Sequence, residues 1–83
     1  MNYMVFVYRG KSRDLRKIIV SILKSGVAQN VKKINYVQDY SLKDKNNSEK
    51  EEEKILLISA ESEIKLIEFL SKNFSQIKRI YVN

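Results

Sequence analysis

The sequence predicts an α+β domain: a four-stranded antiparallel sheet with two helices on one of its faces. Three observations lead there. Residues 3–8 (YMVFVY) and 55–58 (ILLI) are apolar throughout, the pattern of strands buried on both sides. Two longer segments repeat apolar residues at helical spacing. In chain order the elements read β-α-β-β-α-β, which right-handed crossovers fold into one sheet with both helices on the same side.

Each element has its own signals. Residues 3–8 are mostly β-branched or aromatic and too few for a helix. Gly10 breaks that strand. Ser12 is the expected N-cap of the first helix, with Asp14 in the first turn, where a carboxylate suits the helix dipole. Leu15, Ile18, Ile19, Ile22 and Leu23 form its apolar stripe, and Lys24 followed by Gly26 is a C-terminal signal. Residues 31–40 (VKKINYVQDY) alternate imperfectly, with Ile34, Tyr36 and Tyr40 on one face, and read as an outer strand. Residues 41–54 (SLKDKNNSEKEEEK) are polar and low in complexity, as in a loop or a solvated hairpin tip. After the apolar strand 55–58, residues 61–74 predict a second helix facing inward through Leu66, Ile67, Leu70 and Phe74. Ile64 and Phe69 widen that face beyond what one sheet needs. Residues 77–82 (IKRIYV) supply the last strand.

This is a ferredoxin-like arrangement, and residues 1–83 are expected to form one such domain. Its central strands are the first and third, which are the two continuous apolar runs. Helices cover only one face of the sheet, so the other face is left apolar, a large patch of a kind rare on monomers. Val5, Val7, Leu56 and Ile58 are therefore expected to meet further copies of the chain in a homo-oligomer.

Composition removes several functions. The chain has no cysteine and no histidine, hence no disulfide framework, no thiolate metal site and no imidazole base. Its serines have no histidine to activate them. No catalytic residue and no cofactor are expected. No apolar run approaches the ~20 residues of a membrane span, and the N-terminus lacks signal-peptide features, so a cytoplasmic protein without membrane contact is expected. The net charge of +6 is unevenly spread: residues 1–45 hold ten basic and three acidic groups, residues 46–83 six basic and seven acidic. A basic half points toward polyanions.

Two stretches carry a family resemblance. ILKSGVAQNVKKINYVQDY is similar to the run in CutA-type divalent-cation-tolerance proteins where a helix ends in leu-ala-ala-cys-val-asn-ile and a strand ends near a tyrosine. EEEKILLISAESEIKLIEFLSKNF resembles that family's acidic lead-in, apolar strand, short turn and helix ending in lys-glu-asn-his. The resemblance covers most of the chain, to about Ile80. It implies a ferredoxin-like trimer shaped like PII signalling proteins, with sheets facing inward and the hairpin between strands two and three reaching a neighbour. It also implies a role in divalent-cation tolerance or signalling. The departures concern metal. Gln29 or Asn30 stands where the family has cysteine. Phe74 and Ser75 stand near its histidine, proline and tyrosine. Ser41 and Leu42 follow Tyr40 where a tryptophan would. Without those soft ligands, copper binding does not carry over to any position.

Other candidates weigh against plainer readings. Glu49, Glu51, Glu52 and Glu53 form the acidic cluster, yet consecutive strand residues point to alternating sides, and Lys50 and Lys54 interrupt them; no metal site is expected there. Arg9, Lys11, Arg13 and Lys17 gather before and within the first helix, whose free N–H groups and dipole favour anions. Weak polyanion binding is expected of them, opposed by Asp14. Arg13, Lys17 and Lys24 share an outer stripe with Val20. The alternative function is thus a basic nucleic-acid-binding module. An RNA-recognition module would need aromatics on the third strand, and KILLISA has none. A small CRISPR-associated nuclease of this fold would place aspartate directly after the first strand, where Arg9 stands. Of an acylphosphatase loop, only Gly10 with Arg13 or Arg16 is echoed.

Overall fold

The computed structural model describes residues 2–34 and 52–81. They form β1 (Tyr3–Gly10), α1 (Ser12–Ser25), β2 (Asn30–Ile34), β3 (Glu52–Ser59), α2 (Glu63–Asn73) and β4 (Ile77–Arg79). The strands lie in the order β2-β3-β1-β4, and every neighbouring pair is antiparallel. This is the ferredoxin-like α+β fold, with the two continuous apolar strands at its centre.

Register decides which side chains meet the helices. Met4 pairs with Ile58, Phe6 with Leu56, and Tyr8 with Ile77. These six join Leu15, Ile18 and Ile22 of α1 and Leu66 and Leu70 of α2 in one buried cluster. Tyr8, Ile22, Leu56, Ile58 and Leu66 are wholly excluded from solvent, and burying a large apolar side chain this way contributes about 1.5–3 kcal/mol. Leu56 and Ile58 were expected to meet another copy of the chain. They point instead to the helix side, because strand side chains alternate and Phe6 and Met4 stand opposite them.

The helix ends refine the sequence reading. α1 begins at Ser12, so Lys11 is its N-cap, and no side chain caps it. The Lys11 carbonyl accepts from the Asp14 N–H at 3.1 Å, which places the first helical bond one residue earlier than a Ser12 cap would. Gly26 ends α1 at φ 83°, a left-handed conformation that glycine adopts without Cβ strain. Leu23, part of the apolar stripe, is 40 % exposed; Leu15, Ile18 and Ile22 are buried and Ile19 packs partly against the same core. α2 starts at Ser62, whose hydroxyl accepts from the Lys65 N–H at 3.2 Å. Ile64, which lies in the first turn outside the inward row, is 72 % exposed.

Strand boundaries shift too. β3 begins at Glu52, so Glu52, Glu53 and Lys54 are strand residues and not hairpin tip. They extend the ladder opposite Gly10, Arg9 and Tyr8. The expectations for Tyr36, Tyr40, residues 41–51 and Val82 lie outside the described residues.

Candidate functional site

The basic segment after β1 is built around a tyrosine. Tyr8 points inward beneath the turn, and its hydroxyl donates to the Lys11 carbonyl at 2.5 Å. Gly10 allows this: a Cβ there would lie 2.7 Å from the Tyr8 hydroxyl oxygen. The turn so formed borders a concavity of about 270 Å³ together with Arg13, Asp14 and Gln76, its own contribution being Tyr8, Arg9, Gly10 and Lys11. Three of the four expected anion-binding residues therefore meet, while Lys17 lies further along α1 and outside the concavity.

Charge within the concavity is divided. Asp14 lines it and opposes an incoming anion. The Arg9 guanidinium is already engaged with Glu53, Nε to Oε2 at 2.8 Å. Both side chains are well exposed, so their pairing contributes less than about 1 kcal/mol. The turn can attract an anion, but it is not a dedicated cage. Glu52 meets Lys54 at 3.5 Å. Among the described residues, no group of three or more acidic side chains is placed to hold a metal ion, and no helix is long and apolar enough to cross a membrane.

The sheet face away from the helices is the second candidate. Val5 pairs with Leu57, Val7 with Ile55, and Ile34 with Ile55 from the other side. Val7 is buried although it does not belong to the helix-side cluster; Val5, Ile34, Ile55 and Leu57 are half-buried. Of the interface residues expected from sequence, Val5 and Val7 lie on this face, and Ile55 and Leu57 replace Leu56 and Ile58. Charges border the row. Lys32 stands opposite Leu57 and reaches over the Tyr3 ring at 4.7 Å; Lys78 stands opposite Val7; Arg9 and Glu53 close one end. At the other end the Tyr3 hydroxyl donates to Asn30 Oδ1 at 3.1 Å. Ser59 lies between them in the register, almost wholly buried, and its hydroxyl has no hydrogen-bond partner among the described residues.

In sequence Arg79 is only one residue of the last strand; in the fold it fastens β4. Its Nε donates to Glu63 Oε2 at 3.1 Å, and its Nη1 donates to the Val5 carbonyl at 3.2 Å and to the Ile80 carbonyl. The guanidinium also lies over the rings of Phe6 and Tyr81. Nothing in the local sequence signals this, since its partners lie in β1, in α2 and after β4.

No protein-family model, no curated protein and no solved structure matches the chain.

Proposed function

We propose that the chain is a CutA-like, PII-like homo-oligomeric protein that acts by binding and assembly and not by catalysis. The observation that carries this reading is the apolar row of Val5, Val7, Ile55 and Leu57 on the face without helices. Val7 is already buried, and the half-buried Val5, Ile55 and Leu57 around it gain free energy when a second sheet excludes water from them. Further support comes from the residue resemblance to CutA-type proteins, which implies a trimer with inward-facing sheets and a role in divalent-cation tolerance or signalling. Soft metal ligands have no part in this reading, because the chain has no cysteine or histidine.

The test is the mass of the assembly in solution. Light scattering on a sizing column at micromolar concentration is expected to return three times the 9.8 kDa chain mass. A particle of chain mass alone at that concentration removes the proposal.

A further inference from the structure

The outward face of α1 carries one sign of charge. Arg13, Arg16, Lys17 and Lys24 are all exposed on it. None of the four takes part in an ion pair among the described residues. The one carboxylate of the helix, Asp14, is half-buried and turned into the concavity beside Gly10. From Arg13 to Lys24 the row runs about 16 Å along the helix axis. The buried stripe of Leu15, Ile18 and Ile22 occupies the opposite side, so the basic row is free of any structural duty toward the core.

The other helix of the same layer is different. On and just before α2, Glu61, Glu63 and Glu68 are exposed beside Lys65 and Lys72. A flat anionic surface laid on the helix layer would touch both helices and meet Glu61 and Glu68 as well as Glu63, whose charge is partly taken up by Arg79. A convex anion that runs along α1 alone avoids them.

We propose that this face of α1 is a phosphate-backbone interface for double-stranded nucleic acid. The duplex presents one negative charge per ~1.7 Å of its axis, so the 16 Å row faces several phosphates at once. The four side chains stand exposed along one helix face, where arginine and lysine meet phosphate oxygens, contacts that hold the duplex without reading its sequence. Arg9 is not a member, because its guanidinium is paired with Glu53. The interface lies on the side of the layer away from the apolar sheet face, so it neither needs nor blocks assembly through that face.

Four phosphate contacts predict a slope of log affinity against log salt near −3.6, about −0.9 for each. The experiment is fluorescence anisotropy of a labelled random-sequence DNA duplex, titrated with the full chain between roughly 50 and 200 mM salt. The wild type is expected to bind in the range ~10⁻⁴–10⁻⁶ M, tightening steeply as salt falls. Changing Arg13, Arg16, Lys17 and Lys24 together to glutamine should flatten the slope nearly to zero. The control changes Lys33, Lys65 and Lys72 to glutamine, which removes three charges from exposed positions off this face and should keep most of the slope. Should the fourfold α1 variant fail to fold, Arg13→Gln and Lys24→Gln singly should each lower the slope by about 0.9. No binding by the wild type at the lowest salt overturns the proposal. So does a control variant that loses as much slope as the α1 variant. Capture by phosphatidylserine vesicles without any binding to the duplex overturns it as well.

Discussion

Gly10 and Tyr8 are coupled by contact rather than by conformation. The glycine is needed because the tyrosine ring passes under it, with the hydroxyl oxygen 2.7 Å and its ring carbon 2.9 Å from where a Cβ would stand. Gly10→Ala is therefore expected to destabilise the chain by about 1–3 kcal/mol, the range for a forced overlap in a packed site. Tyr8→Phe should cost only about 0.5–1.5 kcal/mol, because the Lys11 carbonyl keeps its bond from the Asp14 N–H. Together the two changes should cost less than their sum, since removing the hydroxyl relieves the closest overlap. Urea melts of the three variants decide this, and strict additivity would refute the contact. Ser59 gives the opposite case. A buried hydroxyl without a partner among the described residues forfeits its hydration, so Ser59→Ala should leave the urea midpoint unchanged or raise it. A loss above about 1 kcal/mol would mean that the hydroxyl has a partner.

At the scale of an element, the two helices start in different ways. Both have a serine where a cap could stand. Only Ser62 acts as one, accepting from Lys65 N–H. Ser12 is the first residue of α1, one position past the cap. Ser62→Ala is thus expected to cost about 1 kcal/mol, in the 0.5–2 range for lost caps, and Ser12→Ala a few tenths at most. Thermal melts by circular dichroism would show the contrast, and equal losses would contradict the assigned start of α1. The reason for the difference is tertiary. Tyr8 of β1 holds the Lys11 carbonyl, which sets where the chain turns into α1. Within α2, the Ser62 cap is local and lies within the segment itself.

At the scale of the molecule, one residue of register separates two faces of the sheet. Leu56 and Leu57 are the same side chain on adjacent positions of β3. Leu56 lies opposite Phe6 in the core between sheet and helices, and Leu57 lies opposite Val5 on the other face. Leu56→Asp places an unpaired charge in that core and is expected to unfold the chain. Leu57→Asp should keep native circular dichroism and reduce the proposed assembly to single chains. Mass and circular dichroism recorded on both variants test the pair. If Leu57→Asp retains the wild-type assembly, the open face is not where copies meet.

The element order, the two central strands and the inward rows of both helices are legible in the sequence, because each rests on short-range periodicity. Leu15, Ile18 and Ile22, or Leu66 and Leu70, declare their face by spacing alone. The gathering of Arg9, Lys11 and Arg13 is also legible, since they lie within five positions of one another. Three things were decided only in the folded chain. Alternation along ILLI is invisible when all four residues are apolar, so the sequence could not tell Leu56 and Ile58 from Ile55 and Leu57; pairing with β1 settled it. The fate of individual charges depended on partners far away in sequence: Glu53 takes up Arg9, Glu63 takes up Arg79, and Arg13, Arg16, Lys17 and Lys24 are left without an ion pair among the described residues. The start of β3 at Glu52 came from the ladder opposite Gly10, Arg9 and Tyr8, which lends strand geometry to residues whose own composition reads as loop. Periodicity is a property of neighbours along the chain, whereas register and charge pairing are set by neighbours in space.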